Sequence, residues 1–264
     1  MSRPPPNWED LRPRLITGAA LIVVGVVEIW LGGLWFASMA AIVTGIMVWE
    51  LVQMCGPLRQ ARSIQLGLLT GAMVLFARAL PVIYALPVLA VPAIVGALLL
   101  KRNREIFSLF AVGIVLAGYG LTVFRDTYDI LWFCWLVAVV VSTDIAGYFG
   151  GRIIGGRKFW PSISPKKTWA GVLAGWVASA LVGLFFLAIT DAGRDLIWIS
   201  VVLSFASQMG DIAQSAVKRR MGVKDSSNLL PGHGGLFDRF DALLGASLFM
   251  LLTALVVDVP ELRF

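Results

Sequence analysis

Apolar stretches that approach the thickness of a bilayer recur along this chain, and no other property limits its fold as strongly. Runs such as Leu15–Trp30 and Ile130–Val141 come close to or form part of the roughly 20 residues a helix needs to cross the hydrocarbon core. Of 264 residues, 58% are hydrophobic and only 14% charged, whereas a soluble domain is about a quarter charged. A soluble globular enzyme, a disordered chain, a coiled coil and a disulfide scaffold are all excluded by that balance. The two cysteines, Cys55 and Cys134, form no metal-ligand pair and read as packing residues.

Boundaries set by charge, Gly and Pro predict an all-α polytopic bundle of about nine spans: 15–31, 34–54, 64–80, 82–100, 106–124, 130–150, 169–190, 196–217 and 242–258. Only Pro81 and its neighbours divide the third from the fourth, so a re-entrant pair or a shifted boundary is an alternative there. With a cytoplasmic amino terminus, segments 1–14, 55–63, 101–105, 151–168 and 218–241 hold 18 of the 22 Lys and Arg. That asymmetry obeys the positive-inside rule and puts the carboxyl terminus outside. The first run lacks a convincing cleavage site and leads straight into a second span, so it reads as retained rather than as a signal peptide. The domain reading is a tail over 1–14 and one membrane domain over 15–264, with chemistry concentrated in 142–241.

Carboxylates at membrane depth cost at least about 2.5 kcal/mol at a helix centre, so each needs a reason. Glu28 reads as paired within the bundle and Glu50 as solvated at a membrane edge. Asp211 belongs to a stripe, Ser204, Gln208, Asp211 and Ser215, whose spacing places all four on one helix face. A stripe of this kind is either an interhelical hydrogen-bond seam or part of a functional site.

Two basic loops follow the sixth and eighth spans. The first runs from Gly150-Gly151-Arg152 through Gly155-Gly156-Arg157-Lys158 to Ser162-Ile163-Ser164-Pro165-Lys166-Lys167-Thr168, with Asp144 and Tyr148 just before it. It holds no Walker-type phosphate loop. Lys166-Lys167 would suit anionic lipid, a polyphosphate, or simple anchoring at the membrane surface. The second carries Lys218-Arg219-Arg220, Lys224-Asp225, Pro231-Gly232-His233-Gly234-Gly235 and Asp238-Arg239-Phe240-Asp241. Cations, glycine-rich backbone and carboxylates able to hold Mg²⁺ stand together there, although Asp241 could merely cap the ninth helix. Both loops beside lipid suit a metal-assisted transfer between a soluble polyphosphate and a lipid phosphate.

Ser215 to Asp241, SAVKRRMGVKDSSNLLPGHGGLFDRFD, resembles the carboxyl-terminal motif of the phosphatidate cytidylyltransferases over 27 positions. Asp144-Ile145-Ala146-Gly147-Tyr148, Ser162–Trp169 and Gly210-Asp211 resemble the same family, so the likeness covers the second half of the chain. Two departures are visible: Ala170 stands where the family often has Glu, and the small residues after Asp144 are in another order.

The resemblance implies transfer of a cytidylyl group from CTP to phosphatidate, with Mg²⁺ as cofactor, CTP and membrane lipid as partners and no nucleic acid. It implies Asp211 and Asp238 at the metal, Ser215 as an added oxygen, and Lys218 with those two aspartates as catalytic residues. Arg219, Lys224, Arg239, Lys166 and Lys167 would contact phosphates, and Asp144, Ser164, His233 and Asp241 complete the expected substrate-binding set. His233 is expected to shape the loop or donate a hydrogen bond, since a phosphatidate oxygen is already an anion and needs alignment more than a base. A homodimer is an open alternative for assembly, and a bacterial inner membrane with a cytoplasmic active site is the expected location. Rival readings are a cytidylyltransferase for another lipid phosphate, a transporter of anionic lipid or nucleotide, and a membrane scaffold that has lost catalysis.

Overall fold

The computed structural model describes residues 11–256 apart from 57, 231 and 233, and side chains from 16 to 253 apart from those three. His233, most of the expected tail and the last residues of the ninth span therefore lie outside the described residues. Among these there are nine helices: α1 (Leu11–Leu31), α2 (Gly33–Cys55), α3 (Gln60–Arg78), α4 (Val82–Leu99), α5 (Arg104–Thr127), α6 (Ile130–Ile153), α7 (Trp169–Ile189), α8 (Asp195–Arg220) and α9 (Phe237–Val256). Six of them, α2 and α4 to α8, are long and apolar enough to cross a membrane. The expected third and fourth spans are separate helices, broken at Ala79-Leu80-Pro81.

The surface is inverted relative to a soluble protein. Ile22, Leu68, Ile83, Leu98, Leu109 and Phe185 are all exposed, as expected where lipid rather than water is the solvent. Two apolar cores lie inside. One joins α2 to α5 through Val48, Leu51, Phe107 and Ile114 and reaches Phe237 of α9. The other joins α6 and α8 through Trp135, Leu136 and Leu203, with Phe36 and Phe124 at its edge.

Small residues set the close crossings, as they do where lipid gives helices no hydrophobic reason to associate. A Cβ on Gly171 of α7 would come 2.6 Å from the Gly147 carbonyl of α6. On α8, a Cβ at Gly210 would overlap the Asp241 carbonyl of α9 and lie 2.9 Å from Gly245. The second crossing draws Asp211 and Asp241 to one level of the bundle.

Both long loops depart from the sequence reading. Segment 151–168 is not featureless: Gly155 and Gly156, with φ of 67° and 90°, turn the chain into an antiparallel hairpin, β1 (Lys158–Trp160) and β2 (Ser164–Thr168), pairing Lys158 with Thr168 and Trp160 with Ser164. The all-α class thus gains one small sheet. In the second loop α8 continues through Lys218-Arg219-Arg220 and ends where Gly222 takes φ 71°. Its Val223 N–H donates to Lys218 O at 2.9 Å and its Gly222 N–H to Arg219 O at 3.1 Å, the double bond pattern of a Schellman stop. Asp241 is no cap, because α9 already begins at Phe237.

Contacts between loops show which helix ends share a face. Asn103 donates to Cys55 O at 2.8 Å and to Met221 Sδ at 3.3 Å, so the ends of α2 and α8 and the start of α5 meet. Away from them, Arg78 pairs with Asp126 and Arg125 donates to Ile29 O at 3.0 Å.

Candidate active site

A cavity of about 640 Å³ opens between α6, β2, α7, α8 and α9. Asp144, Tyr148 and Arg152 line it from α6, Lys166 and Lys167 from β2, Gln208 and Asp211 from α8, and Asp238 and Asp241 from α9. Thr168 caps α7, its Oγ1 accepting the Gly171 N–H at 3.2 Å. That cap orients the end of β2, so Lys167 reaches across to Asp211 with Nζ 2.5 Å from Oδ2.

The stripe on α8 serves two purposes. At depth it is a seam: Thr143 donates to Ser204 Oγ at 2.8 Å, Trp176 Nε1 donates to Gln208 Oε1 at 3.1 Å, and Gln208 Nε2 donates to Val172 O at 3.3 Å. Towards the loops it becomes ionic, where Ser215 Oγ donates to Asp211 Oδ1 at 3.3 Å. Asp241 lies close enough to Asp211, Lys218 and Asp144 to feel their charges. These carboxylates share one chamber with Arg152, Lys166 and Lys167.

Asp238 is held differently. Its Oδ1 accepts from Gln214 Nε2 and Lys218 Nζ, both at 2.8 Å, and its Oδ2 accepts from Ser226 N at 2.8 Å and from Ser226 Oγ and Gly235 N at 3.0 Å. Lys218 is therefore not the solvated loop cation the sequence suggests, because its side chain is 11% exposed and that of Asp238 6%. Asp238 stands in the polar first turn of α9, ahead of the apolar stretch from Ala242. Burial alone would raise its carboxyl, but Lys218, Gln214 and the Gly235 and Ser226 N–H groups together outweigh that and hold it down at about 2.

Of the residues singled out from sequence, Asp144, Lys166, Lys167, Asp211, Asp238 and Asp241 meet around the cavity, with Ser215 and Lys218 bonded to two of its carboxylates. Ser164, Arg219, Lys224 and Arg239 are not among its lining residues; Ser164 opens β2, and Arg219, Lys224 and Arg239 are exposed. Among the described residues no three His, Cys, Asp or Glu side chains form a ready metal cage.

Three features escaped the sequence reading. Arg152 lines the cavity and donates to the Tyr148 hydroxyl at 2.6 Å; the i, i+4 spacing of the two was a usable signal. Glu50 is not solvated. It is 0% exposed and accepts from Ser226, Ser227, Leu236 and Phe237. The pairing expected for Glu28 is not seen at its Oε2, which is buried without a hydrogen-bond partner among the described residues.

The sequence matches the cytidylyltransferase family over residues 12–257. A phosphatidate cytidylyltransferase of Brucella suis biovar 1 (strain 1330) is 34% identical over 266 aligned positions, covering 96% of each chain. One of Brucella melitensis biotype 1 gives the same figures, and one of Bacillus subtilis (strain 168) is 30% identical over 257 positions, 89% of this chain and 94% of that protein. With the match running through nearly every helix described above, the chain belongs to the cytidylyltransferase family.

Proposed function

We propose that the protein transfers a cytidylyl group from CTP to phosphatidate, releasing diphosphate and leaving CDP-diacylglycerol in the membrane. The observation that carries this reading is the cavity itself, where Arg152, Lys166 and Lys167 face Asp144, Asp211 and Asp241 in one chamber at the loop end of the helices. Cations gather the two sets of phosphates and offset their mutual repulsion, the main barrier when one anion must approach another. The phosphatidate oxygen then bonds to the α-phosphorus of CTP as the bond from that phosphorus to the diphosphate breaks. That oxygen is already ionised, so alignment by Arg152, Lys166 and Lys167 replaces a general base. Ile145, Tyr148 and Phe149 are exposed beside this chamber, apolar footing for a lipid entering from the side.

Oxygen donors here fit Mg²⁺, which is commonly bound by one or two carboxylates plus substrate phosphates rather than by a complete protein cage. Asp211, Ser215 and Asp238 would hold it, Asp238 without giving up its contact with Lys218. When bound, the ion would neutralise charge on the transferring phosphates. Lys167 and Lys218 supply positive charge to the same carboxylates.

The finer topology is part of the same proposal: nine spans, an inner-membrane location, and the cavity on the cytoplasmic side with the carboxyl terminus opposite. It is supported by the distribution of Lys and Arg and by the meeting of residues 55, 103 and 221 at one end of the bundle. Labelled CTP, Mg²⁺ and either phosphatidate or a polyprenyl phosphate, given to the purified protein, test the function. A labelled liponucleotide from phosphatidate alone is expected; product from the polyprenyl acceptor alone would replace the acceptor.

A further inference from the structure

We infer that Glu50, on α2 and outside the cavity, is a positioning residue for the 226–238 segment and acts on Asp238 through Ser226. The inference rests on the cytidylyltransferase reading for its kinetic test, but its geometry stands apart from it. Glu50 Oε1 accepts from the Leu236 N–H at 2.9 Å and the Ser227 hydroxyl at 2.5 Å, and Oε2 from the Phe237 N–H at 2.7 Å and the Ser226 hydroxyl at 3.1 Å. One buried carboxylate thus grips both ends of the loop that precedes α9.

A helix start leaves backbone N–H groups without intrahelical partners, and a nearby side chain commonly serves them. Here the acceptor for Leu236 and Phe237 comes from 186 and 187 residues earlier in the chain, while Asp238 itself takes the Gly235 N–H. The two carboxylates share the Ser226 hydroxyl, which lies 3.1 Å from Glu50 Oε2 and 3.0 Å from Asp238 Oδ2. A hydroxyl has one proton to give, so it donates to one of the two carboxylates at a time while staying within reach of both. No side chain fits at Gly235, where a Cβ would overlap Ser226 Oγ and lie 2.5 Å from Glu50 Oε1. Glu50 therefore fixes the loop against a helix of the amino-terminal half, and the fixed loop aims Asp238 and Lys218.

The test uses the full chain and compares wild type with Glu50→Gln, Ser226→Ala and their combination. The amide keeps the size of Glu50 but turns one acceptor end into a donor facing other donors. Expected for Glu50→Gln are a kcat at least about tenfold lower with KM for CTP and phosphatidate nearly unchanged, since misplacement of a catalytic group acts on the chemical step. Ser226→Ala, which leaves the loop N–H bonds intact, should lower kcat about fivefold, and the double variant should be no slower than Glu50→Gln, as for residues acting as one unit. Amide hydrogen exchange at Leu236 and Phe237 should quicken in Glu50→Gln. Unchanged exchange, a wild-type kcat in either folded single variant, or multiplying effects in the double would each overturn the inference. If Glu50→Gln does not fold, the kcat of Ser226→Ala decides alone. Absence of liponucleotide from wild type would count against the proposed function, and hydrogen exchange would still judge the Glu50 contact.

Discussion

Two lysine–aspartate pairs border the same cavity in opposite surroundings. Lys167 and Asp211 are 24% and 30% exposed, and Ser215 also donates to Asp211, whereas Lys218 and Asp238 are 11% and 6% exposed and Asp238 accepts from Gln214, Ser226 and Gly235 besides. Lys167 arrives on a small hairpin, but Lys218 stands in the last turn of a long helix. The difference separates a pair that can exchange partners from one that holds the architecture. An open pair gives up its lysine to an arriving phosphate or cation at small cost, because water already shares its field. A closed pair cannot lose one member without stranding the other's charge.

The largest effect expected from this contrast is on stability. Lys218→Ala should lower the unfolding free energy by about 3–5 kcal/mol, the usual cost of leaving a buried charge unpaired, and a chemical denaturation curve in detergent would measure it. A loss below about 1 kcal/mol would make the two pairs equivalent. Next comes Lys167→Ala, for which we expect a turnover about tenfold lower at limiting CTP or phosphatidate, the size of one lost phosphate contact, with the melting temperature kept. Full activity at limiting levels of both substrates would reduce Lys167 to an anchor. Smaller still is Ser204→Ala in the deep seam, where loss of the Thr143 hydrogen bond should cost about 1 kcal/mol and leave kcat unchanged.

The smallest expected effect is a flat line. The folded carboxyl of Asp238 sits at about 2, below its ordinary 3.8. A depressed folded value contributes stability that is full above the unfolded value and is lost as pH falls from there through about 2. The difference in melting temperature between wild type and Asp238→Asn should therefore stay constant from about pH 5 to pH 8. A slope in that range would mean that Asp238 is not held as the closed pair requires.

The helices were legible because hydrocarbon leaves the backbone few alternatives, and their apolar runs were interrupted by Pro81, Gly32 and charged turns. Asp211 was legible because a carboxylate in a regular polar stripe is costly. The hairpin was not. Ser164-Pro165-Lys166-Lys167-Thr168 carries a proline and two lysines and lacks the apolar alternation that marks a strand. Lys218 read as a loop cation because the apolar pattern stops at Val217, although the helix continues until Gly222 ends it. Glu50 was misread for a different reason: its donors, Ser226 to Phe237, lie at least 176 residues away, and local spacing carries no signal of such a pairing.

The contrast between the pairs turns on Asp211. Asp211→Asn keeps the size and hydrogen-bonding capacity of the side chain and removes its charge, so a mere seam would tolerate it and an exchangeable charged site would not. The decisive measurement is the Mg²⁺-dependent rate of CDP-diacylglycerol formation by the folded variant, taken beside its melting temperature. We expect turnover reduced by about a hundredfold or more at an almost unchanged melting temperature. Near-normal turnover by folded Asp211→Asn would contradict the assignment of chemistry to the open pair.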